Sequence, residues 1–173
     1  MGAWVRSGQV GGLPAVGSAP TISFMTQLTE GSAAVVAGTP TASPALESLS
    51  RFVEAAGLEV DTVGPERVTG HIDLDQSHHT PWGIVHGGVY TTAVETAASI
   101  GASAAVAERG QVAVGLTNTT HFLRSVTAGR VVVEATALNQ GRTQQRWQVD
   151  ITDGAGRRLA HGEVRLQNLT PPA

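Results

Sequence analysis

The sequence predicts an α+β domain in which an antiparallel sheet wraps around one long central helix. Three observations predict it. The elements run helix, two strands, long helix, four strands, and a run of antiparallel strands after one helix belongs to α+β layering, not to a doubly wound sheet. The long helix, His86 to Ala107, is built almost wholly from small residues, so other elements approach it closely on many sides. Asp153-Gly154-Ala155-Gly156 has the composition of a hairpin turn between the last two strands.

Each element has its own signal. Residues 1–43 are rich in Gly, Ala, Ser, Thr and Pro, which predicts a flexible tail. Met25 lies inside that tail, and a chain starting there would lose nothing that looks folded. The folded domain is expected over 44–170. Ser43 and Pro44 suit a helix start, and Leu46, Leu49, Phe52, Val53 and Ala56 recur at helical spacing up to Gly57. Leu58 to Val63 reads as a strand, and Gly64-Pro65 as a turn. Arg67 to Leu74 alternates, with Val68, Gly70, Ile72 and Leu74 on one face. Asp75 to Val85 is a polar loop. After the central helix and Gly110, strands are expected over Gln111 to Phe122, Arg130 to Leu138, Thr143 to Thr152 and Arg157 to Gln167.

Composition narrows the chemistry. The 173 residues carry a net charge of -3 and no cysteine. A general basic surface for nucleic acid is therefore not expected, nor are disulfides, thiolate metal sites or a cysteine nucleophile. Every basic residue is arginine, so no lysine can form a Schiff base or act as a general base. No apolar run approaches the roughly 18–20 residues that span a bilayer, and the N-terminus lacks the pattern of a signal peptide. A cytoplasmic protein without a membrane partner is the expectation.

Two places on the central helix can carry chemistry. His86-Gly87-Gly88 opens it, and a helix N-terminus offers unpaired N–H groups with a partial positive charge. The Gly87 N–H can polarise a carbonyl and hold the oxyanion formed from it; alternatively the glycines only let a strand cross the helix start. Glu95 is the one charged residue between His86 and Ala107. At helical spacing it lines up with Thr92 and Ser99, and Thr91 and Ser103 extend the polar stripe. A carboxylate among small apolar residues is costly unless paired or used. It is a nucleophile or general base, or else a structural group bonded to Thr92 or Ser99, or one exposed on a solvent face. His78, His79, His86 and His121 do not have zinc spacing, so no metal is expected. No phosphate-cradling loop and no Gly-x-Ser-x-Gly elbow is present. Trp82, Tyr90, Phe122 and Trp147 border either a pocket or the core, the core being the usual place for large apolar side chains.

The stretch Pro81-Trp82-Gly83-Ile84-Val85-His86-Gly87-Gly88-Val89, followed by Glu95 and Ala97-Ala98-Ser99, resembles hotdog-fold thioesterases. It is most similar to the phenylacetate-degradation (PaaI-like) type and the Arthrobacter-type hydroxybenzoyl-CoA thioesterase. The resemblance covers roughly Leu46 to Leu169, and Asn118-Thr119-Thr120-His121-Phe122-Leu123-Arg124 and Gly141-Arg142-Thr143 also match the family's layout. It implies a hotdog fold, homodimers or dimers of dimers, and hydrolysis of an acyl-CoA without a cofactor. It implies that the Gly87 N–H meets the thioester carbonyl, flanked by His86 and Gly88. Glu95 then acts as nucleophile or base, and Ser99, one turn on, orients water or the carboxylate. The family often has Asn or Gln six residues before the motif histidine; here Thr80 stands there, preceded by His79, and either can substitute. By the same resemblance Arg124, Arg142 and Thr143 contact the coenzyme, and arginine binds phosphate bidentately; otherwise these arginines are ordinary turn and strand-edge residues.

The resemblance also implies that each site is shared between subunits. Eight residues span about 12 Å along a helix, too far for Gly87 and Glu95 of one chain to meet around one carbonyl. An antiparallel partner helix brings them together. Two other activities fit the fold, a hydratase or dehydratase and a non-catalytic acyl-CoA-binding protein. Hotdog lyases usually pair an Asp with a His in the active loop, whereas the acid here lies on the helix after His-Gly-Gly.

Overall fold

The computed structural model describes residues 50–171. The predicted tail, and the part of the first helix assigned to 44–49, lie outside the described residues. Helix α1 is Arg51–Ala55, and its N-cap is Ser50, whose hydroxyl accepts from the Val53 N–H. Gly57 follows it with φ 74°. The apolar face expected of this helix is not buried within α1: none of its residues is buried, and Phe52 is 70% exposed. Burial begins only at Ala56 and Leu58.

Strands β1 (Glu59–Val63) and β2 (Arg67–Leu74) come next, then a 3-10 turn at Gln76–His78. Helix α2 spans Gly87–Ala104, a second 3-10 turn Ala107–Arg109. Strands β3 (Val112–Phe122), β4 (Gly129–Gln140), β5 (Gln144–Asp153) and β6 (Arg158–Leu169) complete the domain. The six strands form one antiparallel sheet in the order β1-β2-β4-β5-β6-β3. Helix α2 touches every one of them, as a wrapped sheet requires.

Alternation decides which side chains meet the helix. Val68, Ile72 and Leu74 of β2, Val131, Val133 and Ala135 of β4, and Trp147, Val149 and Ile151 of β5 are all buried. The helix answers with two adjacent rows at four-residue intervals: Val89, Ala93, Ala97 and Gly101, and Tyr90, Val94, Ala98 and Ala102. Small residues there allow the sheet to close in. At Gly101 a Cβ would stand 2.4 Å from Cη2 of Trp147, so glycine is what lets a fully buried indole lie against the helix backbone. A buried polar network ties the far end of α2 to the sheet. The Gln145 amide donates to the Ala102 carbonyl and to Asn168 Oδ1, both at 2.8 Å, and accepts from the Trp147 indole N–H at 3.1 Å.

The central helix is shorter than 86–107 because its ends have specific stops. His86 is the N-cap, with its ring Nδ1 accepting from the Gly88 N–H at 2.8 Å. The chain passes into a 3-10 turn that Gly110 terminates with φ 64°. Among the described residues no helix is long and apolar enough to cross a membrane.

Candidate functional site

Glu95 projects from the half-buried face of α2, beside Thr92, Thr96 and Ser99. Neither Thr92 nor Ser99 is its partner. The Thr91 and Thr92 hydroxyls donate back to the Gly87 and Gly88 carbonyls, the usual fate of helix hydroxyls. Ser103 Oγ accepts from the Ala113 N–H. Glu95 instead meets β3. Its Oε2 accepts from the Asn118 side-chain amide at 3.0 Å. That amide also donates to the Thr91 carbonyl at 3.2 Å, and its Oδ1 accepts from the Thr120 hydroxyl at 2.7 Å. The other carboxylate oxygen lies against Gly115, where a Cβ would come within 2.1 Å of Oε1. A β-bulge falls there: β3 and β6 shift register between Gly115 and Thr117. Bulges recur where a strand must re-aim beside a site. Sequence reasoning missed Asn118 as a partner of Glu95, because only the packing of β3 against α2 makes the two neighbours.

The start of α2 holds the second candidate group. With Gly88 engaged by His86, the Gly87 N–H has no hydrogen-bond partner among the described residues. The Phe122 ring lies over Gly87, where a Cβ would be 2.8 Å from Cζ. Phe122 is 56% exposed, and its centroid is 6.5 Å from that of Tyr90. Tyr90 is buried, its hydroxyl lacks a partner among the described residues, and burial pushes its pKa up. Of the other aromatic residues considered, Trp147 is core and Trp82 is 84% exposed.

The loop before α2 is held by the residues considered for water positioning. His79 Nε2 bonds the Thr127 carbonyl, and the Thr80 hydroxyl donates to the Ile84 carbonyl at 3.1 Å. The backbone adds a His79–Val85 bridge and a His86 N–H to His78 carbonyl bond of 2.8 Å. His78 is buried, and its Nδ1 lies 3.1 Å from Asp75. Among the described residues no group of side chains has the arrangement of a metal site.

The coenzyme candidates are not brought together. Arg142 and Thr143 lie at the β4–β5 turn, whose carbonyls accept from Asn168 near the end of β6. Arg124 lies just past β3, beside Arg158 and Leu159 at the start of β6. The two arginines are therefore at opposite ends of the sheet. Both are exposed, and neither has a carboxylate partner among the described residues. A separate concavity of about 450 Å³, lined by Thr117, His121, Arg146, His161, Glu163 and Arg165, occupies the sheet away from Glu95. Within it Arg146 pairs with Glu163 at 2.6 Å, and His161 lies 2.8 Å from Asp150 outside the lining.

One edge of the sheet is β3. It is 11 residues long and exposes Leu116 and Phe122. A long edge strand with apolar residues and no proline or lysine is a template for pairing with another chain.

Known proteins resemble this chain in sequence and in fold. The thioesterase superfamily model matches residues 83–160. A Mycobacterium tuberculosis protein named as an esterase is 40% identical over 120 residues, 68% of this chain and 86% of that one. Its solved structure has a TM-score of 0.69, covering 72% of this chain and 100% of that one at 39% identity. A 1,4-dihydroxy-2-naphthoyl-CoA hydrolase of Listeria monocytogenes is 34% identical over 58% of this chain and 80% of its own length. The structure of a Haemophilus influenzae thioesterase has a TM-score of 0.64 at 30% identity, covering 68% of this chain and 82% of that one. Sequence and fold agree in these matches, and the chain belongs to the thioesterase superfamily as a thioester hydrolase of the hotdog fold.

Proposed function

We propose that the chain hydrolyses an acyl-CoA to a carboxylic acid and free coenzyme A, at a site shared between two subunits. One observation carries this reading. The Gly87 donor and the Glu95 carboxylate sit eight positions apart on one helix, about 12 Å along its axis, beside a strand whose outer edge has no partner among the described residues. Gly87 lies by Phe122, at the end of β3, and Glu95 by Gly115 and Asn118, nearer its middle. Antiparallel pairing of two β3 edges about an axis near Thr119 carries Gly87 of one protomer toward Glu95 of the partner subunit. The same pairing brings Arg124 toward Arg142 of the partner subunit, so that two arginines separated in one chain flank one coenzyme. The Listeria relative is named for an acyl-CoA substrate, which supports that substrate class here.

In this arrangement the Gly87 N–H holds the thioester oxygen, as oxyanion donors do. Glu95 of the partner subunit removes a proton from water, which attacks the carbonyl carbon; the C–S bond breaks and the coenzyme leaves as the thiolate. Direct attack by the carboxylate, with an anhydride then hydrolysed by water, uses the same geometry. His79 and Thr80 serve by holding the loop that sets the helix start. Ser99 lies one turn beyond the carboxylate, within reach of the attacking water.

Coenzyme A release from aryl, short-chain and long-chain acyl-CoAs tests the reading, with wild type and Glu95→Gln side by side. Wild-type turnover that collapses in the variant supports it, and a variant as fast as wild type refutes the role of Glu95. Enoyl-CoA hydration, or acyl-CoA binding without turnover, would replace hydrolysis with a lyase or a binding function. A single turnover in ¹⁸O water tests the direct route: label in Glu95 requires an anhydride opened by water at the Glu95 carboxyl carbon, because general-base hydrolysis puts the label in the product acid alone.

A further inference from the structure

Glu95 is seated by its own β3, and the hydrogen bonds there have a direction. The Thr91 carbonyl can only accept, so the Asn118 amide nitrogen must face it, and that nitrogen is also 3.0 Å from Glu95 Oε2. The Thr120 hydroxyl donates to Asn118 Oδ1 at 2.7 Å, which fixes the amide from behind. An asparagine amide has two donors and one acceptor oxygen, and all three are matched. Behind the carboxylate, Gly115 supplies the room: any Cβ there would stand 2.1 Å from Oε1. The bulge at the same point sets Gly115 and Asn118 where both can face one carboxylate.

We propose that Asn118 is the positioning residue for Glu95, locked by Thr120, and that Gly115 is the clearance that lets the carboxylate occupy this seat. The proposal rests on the reading of Glu95 as the catalytic carboxylate. Asn118 holds one carboxylate oxygen through its amide. A hydrogen bond to an ionised group is roughly twice as strong as a neutral one, and it prevents the side chain from rotating among its staggered states. Thr120 matters through Asn118: without its hydroxyl, the amide oxygen loses its partner and the orientation toward Glu95 is no longer enforced.

The experiment compares kcat and KM in three variants. Asn118→Ala should lower kcat about 10- to 100-fold, the effect of losing one charged hydrogen bond at a reacting group, with KM within about twofold because ground-state binding is untouched. Thr120→Val, nearly isosteric, should lower kcat by about 3- to 10-fold, a weaker effect of the same kind. Asn118→Asp keeps the shape but turns an acceptor toward Glu95, so at neutral pH it should be slower than Asn118→Ala. Wild-type kcat in Asn118→Ala, or an Asn118→Asp no slower than Asn118→Ala at neutral pH, overturns the proposal and leaves Asn118 as filler. A second readout does not need turnover. The Asn118 side-chain amide resonance in ¹⁵N spectra of the wild-type protein should shift in Glu95→Gln; a resonance indifferent to Glu95 overturns the hydrogen bond. If wild type cleaves no thioester while this coupling is seen, the catalytic reading fails and the seat stands.

Discussion

Adding one methyl group at Gly87 separates chemistry from folding. The Gly87 backbone is helical and not among the positive-φ glycines, so alanine is acceptable to the chain itself. Its Cβ would stand 2.8 Å from Phe122 Cζ and 2.9 Å from Cε2. Carbon atoms rest about 3.5–4.0 Å apart, so the ring must retreat by about 1 Å. Phe122 is 56% exposed and has room to do so, at about 0.5–1.5 kcal/mol for an off-rotamer side chain. Alanine returns up to about 1 kcal/mol in helix propensity, so the net change in stability is near zero. Activity is another matter. The methyl and the displaced ring crowd the approach to the Gly87 N–H. Deleting an oxyanion donor outright costs about 10²–10³ in rate. The N–H survives here, so Gly87→Ala should lose about 10- to 100-fold in kcat/KM. A thiol-reactive dye reads the released coenzyme directly, because the chain has no cysteine of its own. A Gly87→Ala protein with wild-type kcat/KM refutes the role of this amide, and a loss of several kcal/mol in urea unfolding refutes the steric argument.

Three further outcomes are expected. Co-expressing Gly87→Ala with Glu95→Gln should restore about a quarter of wild-type activity, because half of randomly paired dimers are mixed and each mixed dimer has one intact site of two; no recovery in isolated mixed dimers would place both groups in one subunit's site. Gly101→Ala should destabilise by about 1–2 kcal/mol in urea unfolding, because overpacking costs about 1–3 kcal/mol against an indole 2.4 Å away, and this exceeds the helix-propensity gain of about 1 kcal/mol; an unchanged midpoint would mean the indole moves freely. Stability should fall in acid. Hydrogen bonds hold the carboxyl groups below their ordinary range: from Arg130 for Asp73, from the Ser77 side chain for Asp75, from Arg67 for Glu134 and from the Arg157 backbone for Asp153. A depressed folded pKa gives stability that is complete above the unfolded value, about 4, and is lost as pH falls through the lower folded value. The thermal midpoint should therefore decline below about pH 4, and a midpoint that rises there would contradict the sign.

Local signals were enough wherever a residue's neighbours along the chain determine its environment. The alternation in Arg67 to Leu74 marks the buried face of β2 at Val68, Gly70, Ile72 and Leu74, and Asp153-Gly154-Ala155-Gly156 sits between β5 and β6. The small residues of α2 report a close sheet, and every strand touches that helix. Periodicity found the helix at α1 but not its burial, because spacing records which residues share a face and not what covers it; Phe52 is exposed. The partner of Glu95 was not legible for a different reason. Helical spacing offers Thr92 and Ser99, but in a helix a hydroxyl can return to the carbonyl one turn earlier, as Thr91 and Thr92 do. Asn118 becomes a neighbour only through the β3 bulge and the register with β6, which depend on contacts far apart in sequence. The separation of Arg124 from Arg142 was hidden likewise, since it follows from strand order.

The β3 strand holds two properties in one stretch of eleven residues. Its inner side seats Glu95, and its free edge is available to another chain. Inherited change in this strand therefore acts on both at once. Under the proposed pairing of β3 edges, a duplicated copy altered at Gly115, Asn118 or Leu116 would lose its carboxylate seat or its match to a sister chain. Divergence has more freedom at the opposite rim, where β1 is the edge and is distant in strand order from Glu95's support. Lineages that acquire new substrates or attachments should accumulate their differences there and in the segment before Ser50, leaving the β3 margin as the slow-changing part of the molecule.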